Sequence, residues 1–341
     1  MVGLDPASAH SAVEAMLSAL TRPFWISEQV VQAGVTAGLA HASRDGDARD
    51  ELARRAGLAL RAAKKKHRGG VLQFGPDMDV EFDDRRFLEK ELRRALDESA
   101  LDVHYQPIVS ADGQRIVGAE ALLRWNHPLR GAIAPMDFVP VAEQTGLMVR
   151  LGEYVLRRAL ADAVRWPGIY LSVNLSPVQV RDPALLGTIT TLLSKFKIPP
   201  ARLMLEVTEG VLIENPGEVS AKLDRLKALG VRLALDDFGT GYSSLTYLQR
   251  FSFDKLKIDR GFVAPLGRDQ SSNALVHAIV ALGRALGLTL LAEGVETEEQ
   301  RVLLRMAGCE EMQGFLFAQP CSREAFDRLL AEAAPERAAV A

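Results

Sequence analysis

Cysteine is scarce in this chain, which has only Cys309 and Cys321 among its 341 residues. This pair forms neither a disulfide framework nor a Cys-x-x-Cys metal motif. The six histidines are scattered, so the sequence shows no cluster of nitrogen and sulfur ligands of the kind that holds zinc. These absences are typical of a protein from a reducing compartment, and we expect a cytoplasmic location.

Long apolar runs and a strong excess of one charge are also missing. The stretch 274–295 is interrupted by His277, Arg284 and Glu293, so it falls short of the roughly 18 apolar residues of a membrane span. The N-terminal residues lack the basic and apolar regions of a secretory signal. A net charge of −3 gives no basic field for sequence-independent DNA binding. We therefore expect neither a membrane span nor DNA as a partner.

Residues 1–80 differ from the rest of the chain, because they are rich in alanine and arginine. Their apolar spacing predicts helices over 9–20 and 48–66, a strand over 30–40 and a short strand over 70–74. We predict a small α+β fragment over residues 1–80 and a larger domain over 81–337.

From residue 81 onward the pattern becomes regular. A helix is predicted to open at 82–84, with Asp83 or Asp84 as N-cap. A hairpin follows, with strands over 103–109 and 115–125. Further strands are predicted over 169–174, 203–207, 231–235, 255–258, 288–292 and 311–315. Helices are predicted over 147–164, 184–196, 216–229, 244–249, 273–286, 298–306 and 323–333.

This alternation predicts an α/β protein with about eight strands. A closed (β/α)8 barrel occupies about 250 residues, which is close to the span 85–335. An open, doubly wound sheet is the alternative. It lacks its usual support here, because no G-x-G-x-x-G follows the first strand.

Polar residues stand at or near the ends of the predicted strands, in most cases a carboxylate or an amide. They are Glu120, Asn174, Glu206, Asp236, Asp237, Lys257, Asp259, Glu293 and Gln313. One such carboxylate is most often a helix N-cap. A series of them is different, because strand ends of a β/α barrel converge on one face, where active sites lie.

So many carboxylates on one face require cations. Like charges a few ångström apart raise one another's pKa, and oxygen ligands suit Mg²⁺ or Mn²⁺. The adjacent Asp236 and Asp237 indicate two ions, an arrangement suited to in-line attack on a phosphoryl centre. Lys257 is either a residue that orients the attacking water or accepts its proton, or a charge-balancing partner in a salt bridge. The residues therefore predict a metal-dependent hydrolase of a phosphate ester.

The stretch EALLRWNHP over residues 120–128 resembles the motif that names the EAL domain family. Similar motifs recur over about residues 85–335: YQPIV (105–109), FVPVAEQTGL (138–147), VNLSP (173–177), LEVTE (205–209), DDFGTGYSSL (236–245), KIDRGFV (257–263), AEGVET (292–297) and QGFLFAQP (313–320). The resemblance implies a modified (β/α)8 barrel and a phosphodiesterase that hydrolyses cyclic di-GMP to linear pGpG.

The same resemblance implies a role for each site residue. The first metal ion would be held by Glu120, Asn174, Glu206 and Asp236. The second would be held by Asp236, Asp237 and Glu293. Catalysis would depend on Lys257, Glu293 and the ligand Glu120, with either Lys257 or Glu293 handling the proton of the water. Both ions would be Mg²⁺ or Mn²⁺.

Substrate contacts are implied in the same way. Arg124 would meet a phosphate of the dinucleotide, where a planar guanidinium fits well. The pocket would be lined by Gln106, Leu122, Asp259 and Gln313. Phe315 stands where tyrosine is common in the family.

Loop 236–245 is also covered by the resemblance. Glu209 would brace this loop, whose glycines Gly239 and Gly241 permit unusual backbone angles. In the family the loop lies near a dimer contact, so we expect a homodimer. No metal-ligand position is replaced, which favours an active enzyme over the alternative, a non-catalytic receptor for cyclic di-GMP.

Residues 1–80 resemble the C-terminal half of a GGDEF domain, the family of cyclic di-GMP synthases. The similar stretches are GLDPASAHSAVEAMLSAL and VTAGLAHASRDGDARDELARRAGLALRAAKKKHRGG. The GGDEF signature is absent, so we expect a partial, degenerate domain without cyclase activity.

Overall fold

Residues 5–42, 44–66, 69–213, 215–239 and 250–333 are described by the structure, which is a computed structural model. Contacts between residues divide the chain into two units, Met1–Glu91 and Leu92–Ala341. Each unit has its own strands and its own buried apolar residues.

The first unit combines two small sheets with helices. Its elements in chain order are α1 (Pro6–Leu20), β1 (Phe24–Ile26), β2 (Gln29–Val31), β3 (Ala37–Leu39), α2 (Arg49–Lys66), β4 (Val71–Gln73) and α3 (Pro76–Asp97), which contains the unit boundary. Strands β1 and β2 form an antiparallel hairpin, whereas β3 and β4 pair in parallel across α2. Leu58, Ala59 and Phe74 form the centre of its core.

Two predictions for this region are wrong. The single strand predicted over 30–40 is two short strands, β2 and β3, in different sheets. The helix predicted to open at 82–84 begins at Pro76, because proline is favourable in the first turn and Asp77 and Asp79 suit the helix N-terminus. It therefore runs across residues 80 and 81, and the domain boundary there stays a prediction.

The second unit is built on one sheet. Its strands are β5 (Asp102–Ser110), β6 (Ile116–His127), β7 (Gly131–Ile133), β8 (Tyr170–Asn174), β9 (Leu203–Thr208), β10 (Arg232–Phe238), β11 (Lys255–Ile258), β12 (Thr289–Ala292) and β13 (Glu311–Met312). Strand β5 pairs antiparallel with both β6 and β13, while β6 and β8 to β13 run parallel to one another in turn. The sheet is therefore closed into an eight-stranded barrel, with β7 outside it as an extension of β6.

Helices surround this barrel. Among the described residues they are α4 (Pro135–Thr145), α5 (Met148–Ala163), α6 (Pro177–Arg181), α7 (Leu185–Phe196), α8 (Glu209–Ile213), α9 (Pro216–Ala228), α10 (Arg260–Val263), α11 (Gln270–Ala285), α12 (Glu298–Ala307) and α13 (Arg323–Ala333), with a 3₁₀ turn at Pro200–Arg202. Their buried faces join the outward faces of the strands in one large core, in which Leu156, Leu226 and Phe326 are almost fully buried.

The predicted modified (β/α)8 barrel is confirmed, and the open doubly wound sheet is wrong because β5 joins both edges of the sheet. The last strand is shorter than predicted and ends at Met312. Just beyond its end the backbone at Gly314 lies against Val295, where a Cβ atom would be 2.1 Å from the carbonyl oxygen. The helix predicted over 244–249 lies outside the described residues. In the part of the chain that is described, no helix has the length and apolar character needed to cross a membrane.

Candidate active site

The barrel interior contains two layers of side chains. Residues two apart on a strand point to the same side. The first layer includes the buried apolar cluster Ile108, Tyr170, Met204, Ala234 and Leu291. A polar residue lies two positions along the chain from each member of this cluster. These polar residues are, in the same order, Gln106, Ser172, Glu206, Asp236 and Glu293. These polar residues form the second layer, toward the carboxyl ends of the parallel strands, where active sites of such barrels lie.

The remaining barrel strands continue both layers. Lys255 and Lys257 are paired in this way on β11, and Glu120 follows Gly118 on β6. Glycine is needed at 118, because a Cβ atom there would lie 2.5 Å from Cζ of Tyr170. The Tyr170 ring on β8 thus occupies the space that a side chain at position 118 of β6 would fill. This space lies next to Glu120 in the barrel interior.

Lys257 is the centre of the polar layer. Its ammonium lies 2.6 Å from Glu206 Oε2, 2.6 Å from Glu293 Oε1 and 3.1 Å from Asp236 Oδ1. The side chain is 1% exposed. Side chains from β9, β10 and β11, with Glu293 directly after β12, therefore meet at one buried ammonium. Its positive charge partly balances the negative charges of the carboxylates around it.

Glu120 is held by two amides. Asn174 Nδ2 donates to one carboxylate oxygen at 2.7 Å, and Gln313 Nε2 donates to the other at 2.6 Å. Gln313 Nε2 also donates to Gln106 Oε1 at 3.0 Å. Ser172 Oγ donates to the neighbouring Glu206 at 2.5 Å. The orientation of each carboxylate is therefore set by polar side chains that lie on other strands of the barrel or directly after them.

Asp236, Asp237 and Glu293 form a group that fits a metal ion. One carboxylate oxygen from each lies within 4.8 Å of the others. The Asp237 backbone adopts a positive φ of 55°, and its N–H donates to Asp236 Oδ1 at 3.0 Å. All ligand atoms offered are oxygens, which suits a hard divalent cation such as Mg²⁺ or Mn²⁺.

The electrostatics of these groups reflect burial and crowding. Burial raises the pKa of Glu206 well above its usual range, and the nearby Glu120 adds to this against the opposing effect of Lys257. Burial likewise raises the pKa of Glu293 to about 8, although Lys257 opposes it. Burial alone would lower the pKa of Lys257, but the surrounding carboxylates outweigh it and raise that pKa well above its usual value. Burial and then Asp236 raise the pKa of Asp237.

Glu209 lies at the start of the loop that follows β10. Its Oε1 accepts a hydrogen bond from the Gly239 N–H at 3.1 Å, where the backbone has a φ of 92°. The structure therefore brings the predicted bracing residue to the first residues of the loop. Gly241 and the rest of the loop through residue 249 lie outside the described residues.

A cleft of about 200 Å³ opens above the polar layer. It is lined by Gln106, Glu120, Arg260, Glu293, Gly294, Glu296, Gln313, Gly314 and Phe315. Of the residues predicted to bind substrate, Gln106 and Gln313 thus lie in the cleft.

The other predicted substrate residues are not among the residues that line this cleft. Leu122 is half-buried on β6, and Arg124 Nη1 donates to the Leu123 carbonyl at 2.9 Å. Asp259 is the N-cap of α10 and accepts from the Gly261 N–H at 2.8 Å. Its charge contributes to the raised pKa of Asp237, so it faces the candidate metal group electrostatically.

Comparison with known families agrees with this geometry. The family model described as EAL domain matches residues 89–320, which include every strand of the barrel. The chain belongs to the EAL domain family. In this EAL protein most residues of the polar layer belong to the motifs quoted above.

Relatives extend the similarity beyond the barrel. An uncharacterized signaling protein of Caulobacter vibrioides is 43% identical over 95% of this chain and 40% of its own length. The bifunctional diguanylate cyclase/cyclic di-GMP phosphodiesterase MucR of Pseudomonas aeruginosa is 40% identical over 94% of this chain and 47% of its own length. The EAL protein thus spans less than half the length of these curated relatives.

A solved structure is similar to the barrel. The structure described as the MucR phosphodiesterase in complex with cyclic di-GMP is 44% identical, with a TM-score of 0.68. The similarity covers 70% of this EAL protein and 99% of the solved chain.

Sequence reasoning missed three side chains of this EAL site. Ser172 could have been found from its spacing, because it lies two positions before Asn174 on the same face of β8. Arg260 and Glu296 belong to the quoted motifs KIDRGFV and AEGVET, but no local signal shows that both reach the cleft. That information depends on how β11 and β12 are placed side by side.

Proposed function

We propose that this EAL domain is an active phosphodiesterase that hydrolyses cyclic di-GMP to linear pGpG. The observation that carries the proposal is the complete set of oxygen ligands around Lys257 in the polar layer. The activity in the printed names of MucR and its solved phosphodiesterase domain supports the same substrate. We also infer that this reaction lowers the level of a cytoplasmic second messenger.

The ligand groups are assigned as two metal sites, each for Mg²⁺ or Mn²⁺. One would be held by Glu120, Asn174, Glu206 and Asp236. The other would be held by Asp236, Asp237 and Glu293. When bound, the ions supply Lewis-acid activation of water and neutralise the phosphodiester.

Lys257 and Glu293 then have different tasks. Glu120 and the three carboxylates in contact with Lys257 raise the pKa of this ammonium. It can therefore orient a water, but it cannot accept the water's proton. The Glu293 carboxylate, which lies 2.6 Å from the Lys257 ammonium, is the better candidate for that proton. Glu120, held by two amides, is oriented to serve as a ligand of the first ion.

The reaction balances as a hydrolysis. The water oxygen bonds to phosphorus, the bond from phosphorus to the ribose 3′ oxygen breaks, and a proton passes to that oxygen. Opening one of the two phosphodiesters leaves a linear dinucleotide with a 5′ phosphate. We assign the positioning of the dinucleotide to Gln106, Leu122, Arg124, Asp259 and Gln313, and the bracing of the adjacent loop to Glu209.

We further propose that residues 1–80 are a partial, degenerate GGDEF domain. The MucR match covers 94% of this chain, so it includes most of these residues as well as the barrel. The helix α2 and the paired strands β3 and β4 support the predicted α+β fragment. We expect the protein to form no cyclic di-GMP from GTP, because the GGDEF signature is absent. We also expect light scattering to show a homodimer.

The test is product analysis with purified protein, cyclic di-GMP and Mg²⁺. We expect pGpG by chromatography, no product in EDTA, and a loss of at least about 100-fold in kcat for Glu120→Ala, because a ligand and its amide contacts are removed. Glu153→Ala, a charge-matched change on the exposed face of α5, serves as the control and is expected to keep full activity.

Two outcomes would contradict the proposal. Tight binding of cyclic di-GMP without any pGpG would identify a receptor instead of an enzyme. Full activity of Glu120→Ala would show that the assignment of Glu120 as a metal ligand is wrong. It would not contradict cyclic di-GMP as the substrate.

A further inference from the structure

The cleft above the polar layer carries mostly acidic charge. Glu120, Glu293 and Glu296 line it, and Arg260 is the only cationic side chain among the described residues that do so. The proposed substrate carries two phosphates. The phosphate that is cleaved would lie at the polar layer, near Glu120 and the predicted phosphate ligand Arg124. The second phosphate must then be bound elsewhere in an acidic cleft.

The position of Arg260 is set by its neighbours. Its side chain crosses the backbone of Gly294, where an added Cβ atom would lie 2.4 Å from Arg260 Cγ. Gly294 also has a positive φ of 66° and directly follows Glu293. The absence of a side chain at 294 therefore leaves room for the arginine at the edge of the cleft.

The guanidinium of Arg260 is paired but accessible. Nη2 lies 2.9 Å from Glu296 Oε1, and the two side chains are 63% and 45% exposed. An ion pair this exposed contributes little free energy, because water screens it. An incoming phosphate can therefore take the place of Glu296 at low cost.

The geometry points to Arg260 as the residue that binds the phosphate of cyclic di-GMP that is not cleaved, with Glu296 as the residue that this phosphate displaces. This inference rests on the proposed function. A planar guanidinium can donate two parallel hydrogen bonds to a phosphate, whereas a lysine ammonium cannot. Arg260 thereby selects a substrate with two phosphates over a simple phosphodiester.

The test compares two substrates. Arg260→Ala and Arg260→Lys are assayed with cyclic di-GMP and with bis(4-nitrophenyl) phosphate, which has a single phosphodiester. For cyclic di-GMP we expect Arg260→Ala to raise KM about tenfold with a smaller change in kcat, as for one lost hydrogen bond to a charged group. Arg260→Lys should recover only part of this loss. In Arg260→Ala, kcat/KM for cyclic di-GMP divided by kcat/KM for bis(4-nitrophenyl) phosphate should therefore be lower than in the wild type.

Glu296→Gln gives the opposite expectation. It removes the competing carboxylate and one negative charge, so KM for cyclic di-GMP should fall about twofold to threefold. Arg157→Ala, which breaks an exposed ion pair on α5, is the control and should leave both substrates unaffected.

Failure of this inference differs from failure of the proposed function. If the wild type hydrolyses cyclic di-GMP and Arg260→Ala has an unchanged KM, or loses both substrates equally, the assignment of Arg260 is wrong. If the wild type forms no pGpG, the proposed function fails. Calorimetry with cyclic di-GMP then tests Arg260 separately: weaker binding by Arg260→Ala supports the inference, and equal binding contradicts it.

Discussion

Lys257 shows how one buried residue can have a structural and a chemical role together. It contacts Glu206, Asp236 and Glu293, so its ion pairs fit the charge-balancing alternative as well as the orientation of a water. Replacing the ammonium would leave three carboxylates crowded in a buried site. The pKa values of Glu206 and Glu293 would rise further, because burial already raises them and the cation that opposes it would be lost.

We predict that Lys257→Gln lowers kcat for cyclic di-GMP by at least about 100-fold, since an oriented water and a balancing charge are lost together. Circular dichroism should show the fold retained, because the carboxylates can take up protons. Lys195→Gln, a change at an exposed lysine on α7, is the control. Undiminished kcat in Lys257→Gln would exclude any role of the ammonium in the reaction.

At the scale of elements, the strands of the barrel share one pattern. Each carries a residue of the first layer, and two positions away, on the strand or directly after it, is a residue of the polar layer. On β5 the order is reversed, so that Gln106 precedes Ile108, because this strand runs antiparallel to its neighbours. The polar layer is thus a property of the whole sheet and not of one loop.

The first layer contains a charged pair that joins three strands. Lys255 on β11 contacts Glu311 on β13, and both bond the Tyr170 hydroxyl on β8. Arg232 lies 4.7 Å from the centre of the Tyr170 ring. The Lys255 side chain is 3% exposed, and burial lowers its pKa. Removing one partner would leave a buried charge uncompensated.

We therefore predict that Glu311→Gln lowers the free energy of unfolding by about 3 kcal/mol, measured by urea denaturation. Glu153→Gln, which breaks an exposed ion pair with Arg157, should cost less than about 1 kcal/mol. An equal effect of the two changes would show that the buried pair does not hold the strands together.

At the scale of the whole molecule, the barrel brings together like charges that only cations can relieve. Folding raises the pKa of Glu206, Glu293 and Asp237. A carboxyl whose pKa is raised by folding binds more protons in the folded than in the unfolded state, so stability falls as the pH rises between the two pKa values. For Glu293 this interval runs from its usual 4.5 to about 8. Lys257 stays charged throughout this pH interval, so it does not contribute to the change of stability with pH.

We predict that the melting temperature in EDTA falls by at least about 3 °C between pH 6 and pH 8, equivalent to roughly 1 kcal/mol. Excess Mg²⁺ should remove this fall, because the ions replace protons on the carboxylates. Glu293→Gln should make it smaller. A melting temperature that rises with pH in EDTA would contradict the assigned crowding of carboxylates.

The sequence predicted much of the fold because the signals were local. The alternating hairpin over 103–125 and the aliphatic strands appear in the structure within a few residues of their predicted bounds. Short elements were harder. The strand predicted over 30–40 combined two strands of different sheets, since apolar residues next to a turn have no periodicity that separates them. Helix α4, with Pro135 and Pro140, was not predicted, since an internal proline disfavours a helix.

The sequence by itself determined which side chains share a face, because side-chain direction along a strand alternates whatever the strand pairs with. It thereby determined the carboxylates of the polar layer and their need for cations. Only the tertiary structure decided that β5 closes the barrel, that Lys257 contacts three carboxylates, and that Arg260 meets Glu296. Those contacts join residues from strands and loops far apart in the chain, so they depend on pairing and register, which no local pattern encodes.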